Sequence, residues 1–311
     1  MTTSSRIVCG IDFSEGSRVA LRSAAALGER FGSRLAIVTV DDPLLASIES
    51  VGASACGDDT RHMLERLVTE TLGNRAKKLD IEYVVRVGRP AEELLEAARE
   101  PLADAIVMSS HGLTGIRKLF FGSTTERVLR DAAIPVLVSG SSATGPSSWA
   151  DAVSAVNRVL IPVDFLSGSE TQVRDALCVA ETLGVAALVA HVIEPMRLPF
   201  ARRQDALRID AERRARADQA MEALLRTPAG QKRVEGLVAY GEPAEEIAKI
   251  AHDRHAGLIV MGLRAGHSPH GRMGSVTHRV LCISQAAVLA LPPNRAIVRT
   301  THGLACSAAP A

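Results

Sequence analysis

The chain has 311 residues, enough at ~100–200 residues per domain for about two domains, each with a core of its own. Its 36 basic and 35 acidic residues nearly cancel, which argues against a nucleic-acid partner, and no apolar run approaches the ~20 residues of a membrane span. Five cysteines without paired spacing, Cys9, Cys178 and Cys282 among them in apolar patterns, read as buried reduced thiols, and Met1 to Arg6 is too short and polar for a signal peptide; a cytoplasmic protein is expected.

From the N-terminus, strands are predicted near residues 6–11, 34–40, 81–87, 104–109 and 134–139, with helices near 15–31, 59–79, 90–100 and 123–132. The strands are continuous runs rich in valine and isoleucine, not alternating ones, as expected of strands buried on both faces. Aromatic residues are only 3 % of the chain, so small aliphatic side chains must build the interior. Pro90 followed by Glu92 and Glu93, and Pro243 followed by Glu245 and Glu246, mark helix starts. Strand–helix alternation implies parallel strands, right-handed crossovers and an open, doubly wound α/β sheet. Such a sheet takes ligands beyond the carboxyl ends of its strands, where the strand order reverses.

The whole pattern then repeats. Arg6 to Phe13 matches Arg158 to Phe165, Gly88 to Glu93 matches Gly241 to Glu246, Ala105 to Met108 matches Leu258 to Met261, and Gly122-Ser123 matches Gly274-Ser275. The offsets are 152 or 153 throughout, so the chain is a duplication of one five-stranded Rossmann-like unit. The expected division is a first domain over 1–140, a linker over 141–156, a second domain over 157–293 and a disordered tail over 294–311. The Gly- and Ser-rich stretch Gly140 to Ser148 supports the linker. The basic stretch Arg202 to Arg216, interleaved with acids, reads as a solvated helix face.

The segment Met108 to Glu126 carries the chemistry. It leaves the fourth strand through Ser109, His111 and Gly112 and enters a helix at Gly122, Ser123 and Thr124. Glycine lets backbone amides approach a ligand closely, Ser123 is expected as the helix cap with Glu126 completing a capping box, and the helix start is an anion site suited to phosphate. Arg117 and Lys118 add positive charge. By residue type alone, the segment is equally a glycine-bearing loop with a capped helix. Neither a Walker-type loop nor a Gly-x-Gly-x-x-Gly after the first strand is present. Asp12, at the end of the first strand, reads as a cap or turn residue.

These motifs resemble the universal stress protein family in its tandem form, over about Arg6 to Pro292. ATP-binding members carry Gly, two residues, Gly, nine residues, then Gly-Ser or Gly-Thr. Here Ser109 stands at the first glycine, and Gly112, Gly122 and Ser123 match the rest. The resemblance implies ATP, accompanied by Mg²⁺, with Asp12 and the main chain of Val40 at the base. Met108, Ser109, His111, Gly112, Gly122, Ser123 and Thr124 would line the ribose and phosphates. It also implies halves paired through their last strands as an intramolecular pseudo-dimer, a homodimer beyond that, and a regulatory protein partner in a stress response.

In the second half Asp164 and Val192 match the base positions, and Gly262, Gly274, Ser275 and Val276 match the phosphate positions. Ala265 replaces the second glycine, the loop is one residue shorter, and His278 replaces the acid of the capping box. Weaker or lost binding is expected there. His267, His270 and His278 lack a supporting ligand pattern for a metal. No catalytic constellation stands out. An ATP-binding regulator is the leading reading; a scaffold that binds no nucleotide and a slow ATP hydrolase are the alternatives.

Overall fold

The computed structural model describes residues 5–41, 56–99, 103–110, 122–140, 145–166, 168–196, 203–226, 234–263, 274–292, 295–300 and 303–308. The first half holds strands β1 (Arg6–Gly10), β2 (Arg34–Asp41), β3 (Ile81–Val87), β4 (Ala105–Ser109) and β5 (Val136–Ser139). Between them lie helices α1 (Glu15–Phe31), α2 (Cys56–Leu72), α3 (Pro90–Arg99) and α4 (Ser123–Asp131). The segment read from sequence as one helix over 59–79 is α2 followed by a tighter 3₁₀ turn, Gly73–Lys78, whose basic residues Arg75, Lys77 and Lys78 sit at its carboxyl end. Helix α5 (Trp149–Val156) precedes the second half. There β6 (Arg158–Pro162), β7 (Ala186–Ile193), β8 (Val234–Tyr240), β9 (Leu258–Gly262) and β10 (Ala287–Leu291) alternate with α6 (Ser169–Leu183), α7 (Arg203–Leu225), α8 (Pro243–Asp253) and α9 (Ser275–Ile283).

Three elements, one helix and two strands, fall where sequence composition predicts none. Helix α5 lies inside the expected linker, because that stretch supplies its own caps. Ser148 Oγ accepts the amide of Asp151 at 3.1 Å, and the Asp151 carboxylate accepts the amide and hydroxyl of Ser147 at 2.7 and 3.0 Å. The tail, expected to be disordered, instead holds an antiparallel ribbon of β11 (Arg295–Thr300) and β12 (Gly303–Ala308), closed by the Thr300↔Gly303 pair.

All ten strands of the two units form one sheet in the order β3-β2-β1-β4-β5-β10-β9-β6-β7-β8. Within each half every pairing is parallel; at the seam β5 and β10 run antiparallel, with Leu137 opposite Leu289 and Val136 opposite Ala290. Each half reverses its winding once, between β1 and β4 and between β6 and β9. Those two points are the crevices that a doubly wound sheet offers to ligands.

The two faces of the sheet close differently. On one face α3, α4, α8 and α9 share a single core that runs through the seam, joining Leu94, Leu129, Val136 and Val138 to Ile247, Leu281 and Val288. On the other, α1 and α2 cover the first half and α6 and α7 the second, as two separate cores. Leu137 packs against both of them from the seam.

Candidate functional site

At the first switch point, β1 stops at Gly10 and the chain turns away into α1. Ile11 N–H still reaches Val38 C=O at 2.8 Å, the last rung between these strands. Residues two apart in a strand face the same neighbour, so the N–H and C=O of Val40 point past the end of β1 into the space it has vacated. Asp41, facing the other way, accepts Gly88 N–H at 3.1 Å.

Asp12 stands at that gap, half-buried. Its Oδ1 accepts the amide of Ser14 at 3.1 Å and the Ser14 hydroxyl at 2.5 Å, a turn that prepares the helix start. Ser14 is the cap of α1 and accepts Ser17 N–H at 3.1 Å. The turn role read from sequence is thus observed. It uses one carboxylate oxygen; among the described residues Asp12 Oδ2 has no hydrogen-bond partner. Phe13, between Asp12 and Ser14, has φ of 62°, a left-handed conformation that a bulky residue rarely adopts. Its repeat counterpart Phe165 has φ of 58°, so both halves carry the same bend behind the aspartate.

Across the switch point, β4 ends at Ser109 with Met108 buried behind it. Residues 111–121, and with them the predicted His111, Gly112, Arg117 and Lys118, lie outside the described residues. Their flanks are pinned together: Gly122 N–H donates to Ser110 C=O at 3.3 Å, and Thr125 Oγ1 donates to Ser109 C=O at 3.0 Å. The amino end of α4 is thereby fixed beside the carboxyl end of β4. The expected capping box is not formed. The N-cap is Gly122, with no side-chain bond, and Ser123 is the first residue of the helix, one position too late to cap it. Glu126 N–H closes the first turn on Gly122 C=O at 3.0 Å. The first-turn amides of Ser123, Thr124 and Thr125 have no acceptor within the helix, and no side chain from the N-cap covers them.

The second half repeats this frame with substitutions. Gly274 is the N-cap of α9, again without a side-chain bond, ahead of Ser275 and Val276, and His278 N–H reaches Gly274 C=O at 3.0 Å. No acid sits in its first turn. Residues 264–273, including Ala265, His267 and His270, lie outside the described residues. Asp164 Oδ1 accepts Leu166 N–H at 3.0 Å and Ser169 Oγ at 3.2 Å. Leu166 replaces Ser14, so the hydroxyl contact comes from further along the helix. Val163 N–H bonds Ala190 C=O at 2.8 Å, so Val192 faces the vacated edge as Val40 does.

One residue pair escaped the sequence reading altogether. Gln172 on α6 donates from Nε2 to Pro162 C=O at 2.8 Å and to Val260 C=O at 3.4 Å, tying β6 to β9 where they splay. A Cβ on Gly262 would lie 2.9 Å from Gln172 Oε1. The repeat counterparts are Ala20 for Gln172 and Ser109 for Gly262. The volume is exchanged: the half with the larger strand residue has the smaller helix residue. The only signal in the sequence is the reciprocal size change, which has meaning only once the two positions are known to touch.

Among the described residues, no group of His, Cys, Asp or Glu gathers as a metal site, and no helix is long and apolar enough to cross a membrane. Cys9, on β1, is fully buried in the core beneath α1 and α2, its thiol pushed up to about 12 by burial, and is chemically quiet.

These features define a tandem Rossmann-like α/β protein in which each half leaves a crevice at its switch point. The family model for the universal stress protein family matches residues 3–139 and again 155–292, and the chain belongs to that family. Two curated relatives each align with one repeat's length of sequence. A universal stress protein of Methanocaldococcus jannaschii is 30 % identical over 139 residues, which is 43 % of this chain and 80 % of that protein. One from Thermus aquaticus is 32 % identical over 138 residues, 42 % of this chain and 96 % of that protein. The crystal structure of a universal stress protein from Archaeoglobus fulgidus resembles the whole chain in fold, with a TM-score of 0.60 at 20 % identity, covering 92 % of this chain and 96 % of that one.

Proposed function

We propose that the first half binds ATP and that nucleotide occupancy regulates how this protein engages a partner in a stress response. The observation that carries the reading is the alignment of three ligand groups along adjacent strand ends: the Val40 main chain on β2, Asp12 Oδ2 after β1, and the open first turn of α4 beside β4. Strands lie ~4.8 Å apart, so the span from β2 to β4 is about 10 Å, a length suited to a nucleoside with its phosphates. The exocyclic amine of adenine would donate to Asp12, its ring nitrogen would accept from Val40, and the phosphates would meet the amides of Ser123 and Thr124. Mg²⁺ would be carried by the phosphate oxygens. The second half binds nucleotide more weakly in this reading, supported by Leu166 in place of Ser14, by Ala265 in place of the second glycine and by the shorter loop. The test is a thermal melt with and without millimolar Mg-ATP, after assay for co-purified nucleotide. A rise of several degrees, or ATP carried through purification, supports the reading; no shift and no bound nucleotide would transfer the assignment to an interaction scaffold.

A further inference from the structure

On the face where the two cores stay separate, the seam of the sheet is not fully covered. Leu137 and Leu289, paired across β5 and β10, are only partly buried, although Val136, Val138, Val288 and Ala290 on the opposite face are at most 2 % exposed. Above the two leucines, α1, α5 and α6 leave a crevice of about 530 Å³, within the ~300–1,000 Å³ of small-molecule sites. Its walls are Val19 and Leu27 of α1, Trp149 of α5, and Val179 and Leu183 of α6.

The hydroxyl groups along this crevice are already engaged with the protein. Ser5 Oγ donates to Asp104 at 2.7 Å, Ser23 Oγ to Val19 C=O at 3.1 Å, Ser139 Oγ to Met108 C=O at 3.3 Å and Thr182 Oγ1 to Cys178 C=O at 2.8 Å. Asp151 is held by Ser147. What the crevice offers an occupant is therefore hydrocarbon surface, and such spaces take apolar ligands in preference to water. At the rim, Phe31 and Trp149 meet edge to face with centroids 5.7 Å apart. The Arg30 guanidinium lies 5.8 Å from both ring centroids, and among the described residues no salt bridge engages it. Arg30 stands beside the two rim rings rather than in the lining, whose own carboxylates, Asp104 and Asp151, are held by Ser5 and Ser147; an apolar trough flanked at that end by a cation matches an aliphatic chain with an anionic head.

We propose that this seam crevice binds one fatty-acid-type amphiphile per chain, its alkyl tail over Leu137 and Leu289 and its carboxylate beside Arg30. The site is separate from both switch points and formed by both halves together.

Trp149 is the only tryptophan of the chain, so its emission reports the site directly. The probe is dodecanoate, titrated into the full chain below its aggregation concentration, with dodecanol as the neutral comparator. Expected are a saturable change with one dodecanoate per chain, preserved in saturating Mg-ATP, and weaker binding of dodecanol. Ser23→Phe and, separately, Ala155→Phe place a ring into the crevice from α1 and from α5; each should weaken dodecanoate by about tenfold or more while the melting curve stays near wild type. If one of them fails to fold, the other decides. Arg30→Gln should bring dodecanoate and dodecanol to similar affinity. A non-saturable response, or unchanged affinity in the folded wall variants, overturns the site. Equal binding of both probes by wild type overturns the place of the head group. A dimer on size exclusion that Ser23→Phe converts to monomer, with no dodecanoate response, overturns it in favour of a second copy.

Discussion

Replacing Gly122 by valine separates what the fold requires at the start of α4 from what a nucleotide requires there. Gly122 has φ of −63° and ψ of 130°, a conformation open to any L-residue. A Cβ there would meet Ser110 C=O at 3.6 Å and Thr125 Oγ1 at 3.7 Å, ordinary contact distances. On the protein side the substitution is thus tolerated. Its cost is the exchange of glycine for a poor N-cap residue, about 1 kcal/mol, or a fall in Tm of about 2–4 °C for a unit of 150–250 residues. On the ligand side the isopropyl group stands in front of the amides of Ser123 and Thr124. Mg-ATP at 100 times its Kd adds ~2.7 kcal/mol to the wild type, a rise of about 5–10 °C on the same scale. The assay is a calorimetric or dye-free thermal melt of both proteins with and without Mg-ATP. The expected outcome is a small fall in basal Tm and a ligand-induced rise reduced to under about 2 °C. A full ATP response in Gly122→Val would refute the placement of phosphates at α4. A basal fall beyond about 10 °C would refute the claim that a side chain fits beside Gly122 at ordinary contact distances.

Other perturbations follow from the same geometry. Asp12→Ala removes the acceptor for Ser14 N–H and the group assigned to the adenine amine; about 1 kcal/mol of stability and most of the preference for ATP over GTP should be lost, read by melts in each nucleotide. Cys9 titrates higher in the folded chain, from 9.0 to about 12, so its contribution is fully present below pH 9 and declines as pH rises through that window. Between pH 9 and 10.5 wild type should lose about 1 kcal/mol per unit more than Cys9→Ala, the slope rising toward about 1.4 as the unfolded thiol ionises fully, and parallel denaturation curves for the two would contradict the burial of that thiol. Gly140→Ala drives a methyl group onto the carbonyl of Gln285 at the seam and should cost about 1–3 kcal/mol in chemical denaturation, whereas an unchanged midpoint would mean that the two halves are less closely apposed there. Leu188→Ala, at 0 % exposure under α8, should cost about 2–5 kcal/mol by the same measurement.

The duplication, the order of strands and helices in each half, and the position of Asp12, Val40 and Gly122 at strand or helix ends were legible in the amino-acid sequence. They depend on local patterns: apolar runs, Pro90 and Pro243 at helix starts, and matching blocks one repeat apart. The cap of α4 was misplaced by one residue because Ser123 has the right chemistry, yet only the backbone dihedrals of Gly122 decide where the helix begins. The composition of Gly140 to Ser148 reads as linker, although its serines cap α5, whose place over the seam depends on Phe31 and Trp149 meeting across more than a hundred residues. The exchange of Ala20 and Ser109 for Gln172 and Gly262 is invisible until helix and strand are packed. Most of all, the antiparallel joining of β5 to β10, the core continuous through one face and the crevice left on the other depend on which strand edges meet. Edge pairing is backbone hydrogen bonding between distant segments, open to any apolar strand, so side-chain periodicity marks β5 and β10 only as strands; the family resemblance implies that they pair, and tertiary packing sets the antiparallel seam and its register.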